Sequence, residues 1–299
     1  MNYAQALRQR ALDLRRDVAS RASGNQVLTH IPTGFTEIDR VFGGVRIGLA
    51  TELLAHTGDG KSAFLRHLAE AGAKAGASVL WVLGEDPEDA TAERQLAGDT
   101  GVATNDMGRL DLSQDELARI DLAAAQAAGW ASRIEAKFES PDVAELLAMI
   151  DTWVEETEGT PARLFLGDYA QIFGESRNLE DDIAKLGVGL QKRAVKHRMA
   201  SVIASQVKSD VIQRGRDRWQ NNRDINGIRP SLGDTEYCRR LEKSTKAVWS
   251  LFRPGRWQRE WGESVADDTA ELHVIKANFG PMGFVRLGWN GPATRFENL

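Results

Sequence analysis

From Ile31 onward the chain alternates between short, almost continuous apolar runs and longer stretches with helical spacing of apolar positions. The apolar runs predict strands at Leu49–Leu54, Ser78–Leu83, Arg133–Phe138, Leu164–Leu166, Ser201–Ala204, Ala247–Phe252, Glu271–Lys276 and Phe284–Leu287. Helices are predicted between the early ones, at Lys61–Ala75, Ala90–Leu96, Gln114–Ala128, Asp142–Glu156 and Asp181–His197. Ser113-Gln114-Asp115-Glu116 opens the third of these as a capping box, in which serine and glutamate each satisfy a free backbone N–H. Strands apolar on both faces need helices above and below, so the early strands read as a parallel sheet covered on both sides. The last three lack intervening helices and read as an antiparallel extension. The expected class is α/β, a doubly wound, mostly parallel sheet with antiparallel C-terminal strands.

Ahead of this block, residues 1–21 read as one amphipathic linker helix. Ala4, Leu7, Ala11, Leu14 and Val18 form a stripe, with Arg8, Arg15 and Arg16 largely off it. A lone helix cannot bury such a stripe, so it is expected to dock on its own domain or on a neighbouring subunit. Residues 22–30, with Ala22-Ser23-Gly24-Asn25, read as a connector, and residues 31–299 as the main domain.

Composition narrows the picture. With 42% hydrophobic and 27% charged residues the chain has ordinary globular content, and its net charge of −5 argues against a polycationic coat protein. A local basic strip remains compatible with nucleic-acid binding. A single cysteine, Cys238, allows no internal disulfide and reads as an inert small side chain. The five histidines show no metal-ligand spacing, and no apolar run reaches transmembrane length. The expectation is an intracellular, cytoplasmic protein with no membrane partner.

The strongest local pattern is Ala55-His56-Thr57-Gly58-Asp59-Gly60-Lys61-Ser62, set between an apolar strand and an amphipathic helix. It matches a P-loop except that Ala55 stands in place of the leading glycine. Gly58 and Gly60 let the backbone turn its N–H groups toward phosphate, and the helix N-terminus adds partial positive charge. Gly58, Asp59, Gly60, Lys61, Ser62 and Ala63 are therefore the expected nucleotide-binding residues, with Lys61 on the phosphates and Ser62 on Mg²⁺. The strand Arg163-Leu164-Phe165-Leu166-Gly167-Asp168 ends in an acid suited to the same ion. Glu85, beyond the strand Ser78–Leu83, is expected to lie near the P-loop and to orient the attacking water. An exposed acidic loop is its bland alternative, since Asp86, Glu88 and Asp89 follow. His56 is a candidate lining residue.

These motifs together resemble the motor domain of DnaB-type replicative DNA helicases, a branch of the RecA-like ATPases. The resemblance runs from about Ile31 to Phe296. It rests on Ile31-Pro32-Thr33-Gly34-Phe35 with Ile38-Asp39 and Gly43-Gly44, on the P-loop opened by alanine, and on Leu83-Gly84-Glu85. It continues through Asp168-Tyr169-Ala170-Gln171-Ile172, Ser205-Gln206, and Lys276-Ala277-Asn278-Phe279-Gly280-Pro281-Met282-Gly283. It implies a RecA-like fold using ATP and Mg²⁺, a homo-hexameric ring on single-stranded DNA, and a primase or helicase loader as possible partner. By the same resemblance Glu85 is the catalytic glutamate, Gln206 senses the γ-phosphate, and Lys276 reaches a neighbouring subunit's ATP site. The linker helix would dock on the adjacent subunit, and the roughly thirty residues ahead of the motor leave no room for a collar domain.

Two departures stand out. Asn278 occupies the position of the family's arginine finger, a group worth about 10³–10⁵ in rate. Lys276 alone, Arg253 or Arg286 could compensate, or hydrolysis could be slow. Gly233-Asp234-Thr235-Glu236-Tyr237-Cys238-Arg239 also differs from the family's DNA-contacting loop.

Between Gln206 and Ser231, Lys208, Arg214, Arg216, Arg218, Arg223 and Arg229 face only Asp210, Asp217 and Asp224. With Gly215, Gly227 and paired asparagines this strip is expected to be a mobile, polar DNA-binding loop, with Trp219 a candidate for base stacking. A solvated loop or protein-contact surface is the alternative. The leading functional expectation is a ring-forming, ATP-dependent replicative helicase. The alternatives are a RecA- or RadA-like recombination ATPase and an ATP-switched assembly or loading factor, which Asn278 keeps open.

Overall fold

The computed structural model describes residues 2–23, 28–174, 177–236, 239–265 and 268–299. Gly24 and Asn25 of the connector, and Cys238, lie outside them. The strands are β1 (His30–Ile31), β2 (Val45–Arg46), β3 (Ala50–Ala55), β4 (Ser78–Leu83), β5 (Ile134–Lys137) and β6 (Arg163–Asp168). They continue with β7 (Ala200–Gln206), β8 (Ala247–Phe252), β9 (Thr269–Ala277), β10 (Gly283–Asn290) and β11 (Arg295–Glu297). The helices are α1 (Tyr3–Ala22), α2 (Thr36–Phe42), α3 (Lys61–Lys74), α4 (Glu88–Thr100), α5 (Thr104–Arg109) and α6 (Gln114–Ala131). After them come α7 (Val143–Glu156), α8 (Leu179–His197), α9 (Ser209–Asn222), α10 (Arg239–Ser244) and α11 (Pro254–Glu260).

One large sheet runs in the order β11-β10-β9-β8-β3-β7-β6-β4-β5. Strands β8 through β5 in that order are parallel, and β9, β10 and β11 extend the edge antiparallel. Ala247–Phe252, expected in the antiparallel extension, is instead β8, parallel to β3 and separated from β9 by α11. Strand alternation divides the core into two layers. Val79, Trp81, Leu164 and Leu166 face α3, where Phe64, Leu65 and Leu68 are fully buried with Phe35 and Phe296. Leu80, Val82, Phe165 and Ile203 face the other way, onto Leu146 and Ile150 of α7 and Ile183, Leu186 and Leu190 of α8. Each such side chain contributes about 1.5–3 kcal/mol on burial, which makes the register of the central strands hard to slip. The capping box of Ser113 and Glu116 is present at α6, and Asp142 with Glu145 forms a second at α7.

The strip after Gln206 departs from expectation. Residues Ser209–Asn222 form a helix, because Val211, Gly215 and Trp219 recur at four-residue spacing and bury one face. Gly215 is a packing position rather than a break: a Cβ there would lie 2.4 Å from the Cβ of Ile228. Trp219 is buried against Trp261, with ring centroids 5.8 Å apart, and so is not placed to stack on a base. Trp257 is a core residue of α11. On α1 the apolar stripe is not covered: Leu7, Leu14 and Val18 are all exposed.

Candidate functional site

Four parallel strands end at one cleft. The register sets Ala55 beside Gln206 across the β3–β7 pair, and Leu83 beside Asp168 across the β4–β6 pair. The cleft encloses about 430 Å³ and is lined by Gly58, Gly60, Lys61, Ser62, Ala63, Glu85, Asp168 and Gln206. These residues come from four separate segments of the sequence. A crevice at the carboxyl ends of parallel strands is where an open α/β sheet binds ligand.

The loop between β3 and α3 has a backbone shape that can cradle a phosphate. Gly58 and Gly60 take φ of 80° and 97°, left-handed values that only glycine adopts without strain. At Gly60 a Cβ would also lie 2.7 Å from the Phe296 ring, so nothing larger fits. The first turn of α3 leaves its N–H groups facing the cleft. Lys61 is buried at the cleft floor, where its ammonium donates to the carbonyls of Ala55 and His56, both at 3.3 Å. Burial lowers its pKa, opposed by Asp168, Asp59 and Glu85. Its ammonium is thus held on two weak neutral acceptors and is readily turned to an incoming phosphate.

Asp168 closes β6 beside it. Burial pushes this carboxyl up to about 6, against the lowering effect of a hydrogen bond from Ser62 and the charge of Lys61. The Ser62 hydroxyl and the Asp168 carboxylate are adjacent hard oxygens, the donors Mg²⁺ prefers when phosphates and water complete its shell. No cluster of three acidic, histidine or cysteine ligands exists among the described residues, so the protein offers no complete metal cage of its own. The residues present fit a nucleotide-bridged Mg²⁺.

Glu85 is exposed at the cleft rim and accepts a hydrogen bond from the Tyr169 hydroxyl at 3.0 Å. Burial, then the bond to Glu85, pushes that phenol up to about 12, so it stays a donor. Strand β4 is not the neighbour of β3, since β7 and β6 lie between them. Glu85 reaches the cleft from the loop beyond its strand rather than from the strand itself. Gln206 is anchored at the opposite wall, its backbone N–H donating to Gln171 Oε1 at 3.2 Å.

Two P-loop side chains point away from the cleft. Asp59 is fully buried, paired with Arg256 at 2.8 Å and accepting from the Trp257 indole at 3.3 Å. Only its backbone belongs to the cradle. His56 bonds the Ile228 carbonyl at 2.8 Å and packs edge-on to Trp257; burial pushes its pKa down to about 4. The phosphate loop is thereby braced by α11 and by the turn that follows α9.

Lys276 is not brought to the cleft of its own chain. Its ammonium donates to the carbonyls of Glu242 and of Thr245, the latter at 2.7 Å. Arg253 lies behind the P-loop, donating to Gly58 O at 3.4 Å and to Asp268 at 3.2 Å, with its guanidinium 4.0 Å from the Trp289 ring. Six lining residues went unread as site residues: Thr57, Asp86, Arg94, Tyr169, Trp289 and Thr294. Arg94 pairs with Asp86 at 2.5 Å, and its place on α4, directly after Glu85, was the available clue. Trp289 had no local clue, since it arrives on an antiparallel strand more than two hundred residues away.

The six cations of the strip divide by neighbour. Arg214 is bidentate on Asp234 at 2.9 and 3.1 Å, Arg229 pairs with Glu271 at 2.6 Å, and Lys208 donates to the Gly233 carbonyl at 2.8 Å. Arg216, Arg218 and Arg223 lie on the exposed side of α9 and at its C-cap, Arg218 beside the half-buried Asp224 and Arg223 beside the exposed Glu263.

The profile of the DnaB-like helicase C terminal domain matches residues 30–298. The chain is 23% identical to the replicative DNA helicase DnaB of Haemophilus influenzae, over 95% of this chain and 58% of that protein. It is 23% identical to the replicative DNA helicase DnaC of Bacillus subtilis, over 91% of this chain and 57% of that protein. It therefore spans less than two thirds of these relatives. Its fold is shared with a solved ATPase domain, with a TM-score of 0.80 at 20% identity, covering 97% of this chain and 98% of that one. A DnaB-like replicative helicase, whose structure was described with its interactions with primase, gives a TM-score of 0.78 at 21% identity, covering 96% and 66%. With nine tenths of its length under the family profile, the chain belongs to the DnaB-like helicase C terminal domain family.

Proposed function

We propose that this chain is the ATP-hydrolysing motor of a replicative DNA helicase, assembling as a ring of copies and moving on single-stranded DNA in the cytoplasm. One observation carries the reading: Lys61, Ser62, Asp168, Glu85 and Gln206 line a single cleft at the ends of parallel strands. In it the P-loop amides and Lys61 bind phosphate, and Ser62 with Asp168 holds Mg²⁺, which neutralises charge on the phosphates. Glu85, oriented by Tyr169, accepts the proton of the attacking water. Gln206 registers the terminal phosphate at the end of β7. Arg216, Arg218 and Arg223 present a sequence-independent grip for a DNA backbone.

Ring assembly is supported by two uncovered apolar surfaces. One is the α1 stripe, which we assign to the adjacent copy. The other is the turn between β9 and β10 with the start of β10, where Phe279, Met282 and Phe284 are exposed close to Asn278. A primase or loader is the expected protein partner, a reading that rests on the relatives alone. Asn278 favours a second reading, an ATP-switched loading factor with little turnover of its own, because asparagine brings no charge to a neighbour's phosphate.

ATP hydrolysis by the purified protein, with and without single-stranded DNA, separates them. Stimulation by DNA that vanishes in Lys61→Ala supports the motor; tight ATP binding with negligible turnover in both conditions supports the switch.

A further inference from the structure

Glu52, at the middle of β3, lies outside the cleft and has no part in the chemistry above. It is completely buried. Its Oε1 is 2.5 Å from the Ser205 hydroxyl and 2.8 Å from the Thr235 hydroxyl, while its Oε2 has no partner. Thr235 Oγ1 is also 2.8 Å from Oε1 of Glu242, a buried side chain of α10. These are three oxygen–oxygen contacts of hydrogen-bond length, and the two hydroxyls supply only two hydrogens. A third hydrogen is required, and only a carboxylic acid can provide it.

The neighbours decide which carboxyl holds that proton. Glu242 receives backbone N–H groups: Gly233 donates to both of its oxygens at 2.8 Å, and Thr235 approaches at 3.4 Å. Those donors suit an acceptor-only carboxylate. Glu52 receives no N–H group, and an unpartnered buried oxygen costs much more on an anion than on a neutral acid. The charged groups facing it are Glu242 from α10 and Lys276 from β9. Burial is the dominant influence, outweighing the hydroxyls of Ser205 and Thr235 and the charge of Lys276, and it pushes the Glu52 carboxyl up to about 7.

The position gives the proton a consequence. Ser205 immediately precedes Gln206, and Thr235 sits in the segment 231–236, which is laced to the end of β7. Glu236 N–H donates to Gln206 O at 2.8 Å, Lys208 N–H donates to Asp234 O at 2.9 Å, and Val207 bridges Thr235. We propose that Glu52 is a protonated positioning residue, whose carboxylic acid completes a relay Ser205–Glu52–Thr235–Glu242 and thereby fastens the 231–236 segment to the nucleotide-sensing strand. This rests on the reading that Gln206 and this segment connect ATP to DNA. When the proton is lost to solvent, the Thr235 hydroxyl sits between two carboxylates with one hydrogen. One contact turns repulsive and the fastening loosens. Coupling should therefore be strong on the acid side of neutrality and weaken on the alkaline side.

The test compares wild type, Glu52→Gln and Glu52→Leu, each first checked for cooperative melting. The amide of Glu52→Gln can turn its NH2 toward both hydroxyls and so supplies the third hydrogen at every pH without titrating. The ratio of DNA-stimulated to basal ATP hydrolysis should fall severalfold in wild type as pH rises through neutrality, stay flat in Glu52→Gln, and be low throughout in Glu52→Leu. The same pH profile in wild type and Glu52→Gln would overturn the relay. Difference infrared spectroscopy reads the proton without DNA: wild type should show a protonated-carboxyl band that disappears at alkaline pH and is missing in Glu52→Gln. Absence of that band overturns the proposal even if the motor works. A titrating band with no DNA stimulation in any protein sinks the motor reading, and the coupling role with it, but leaves the proton on Glu52.

Discussion

Arg256→Ala should destabilise the domain more than Asp59→Ala, although both break the same ion pair. The asymmetry follows from where each survivor is left. Removing Asp59 strands Arg256, whose side chain is 28% exposed and has Glu260 at 3.6 Å as a second partner. That loss is about 1.5–3 kcal/mol, the worth of a hydrogen bond to a charged group. Removing Arg256 strands Asp59 with no exposure and only the Trp257 indole as donor, a buried charge without a partner, at about 3–5 kcal/mol. Burial already pushes the Asp59 carboxyl up to about 6 with Arg256 in place, so desolvation outweighs the attraction of the pair. The double variant should consequently lose clearly less than the sum of the singles. The pH dependence has a definite sign. A carboxyl raised by folding stabilises most when protonated, and that stability is lost as pH rises through the folded value. Without Arg256 the folded value climbs further, so the gap between wild type and Arg256→Ala should narrow from mildly alkaline to mildly acidic buffer. Arg256→Met keeps an apolar stem of similar length and removes the guanidinium, which lies 4.4 Å from the Trp257 ring, so it isolates the charged head. Urea midpoints at constant slope are the assay. Equal losses for the two single variants, or a gap that ignores pH, would refute the argument.

Glu85→Gln should leave ATP binding nearly intact and slow the chemical step by about 10²–10⁴-fold in single-turnover kinetics, the usual contribution of a positioned base. Asn278→Arg should raise turnover in the assembled protein, by up to about 10³ if the new guanidinium reaches a neighbouring cleft. An unchanged rate at concentrations where copies associate would place the β9–β10 turn elsewhere. Replacing Arg218 and Arg223 with alanine should weaken DNA binding and reduce the salt slope by about 1 per cation, with nucleotide affinity unaltered. Arg214→Ala should instead lower stability, since Arg214 is spent on Asp234.

The cleft was legible wherever function rests on backbone geometry at the end of a strand. Gly58, Gly60, Lys61 and Ser62 are contiguous, and a strand before and a helix after leave the loop one way to fold. Asp168 followed from the apolar run that ends in it, and Gln206 from the Ser205-Gln206 pair that carries the family resemblance. Side-chain direction was not legible. Nothing local says that Asp59 turns its carboxylate from the phosphates toward Arg256, because its partner lies 197 residues on. The strip failed as a loop for a related reason. Gly215 and the paired asparagines read as breakers, while the bulk that makes a glycine necessary, Ile228, lies thirteen residues later. Glu52 hid inside an apolar strand, where its burial was foreseeable and its partners from β7 and the segment before α10 were not.

The packing of Phe296 on Gly60 has a consequence for how the protein is made. The P-loop segment is synthesised well before its outer support, which belongs to β11. Phe296 stands against Gly60, Phe64 and Trp289, and Asn298 accepts the backbone N–H of Thr36 at 2.7 Å, 262 residues upstream. β3 likewise waits for β7 and β8 before it has either neighbour. A nascent chain on the ribosome therefore carries the whole P-loop motif long before it has a nucleotide pocket. Folding in this order, with its most distant contacts closing last, is slow and leaves apolar strand surface open in the meantime. Nucleotide in the cell should act on the finished chain, arriving as a ligand that locks the final strand rather than as a template for the first ones.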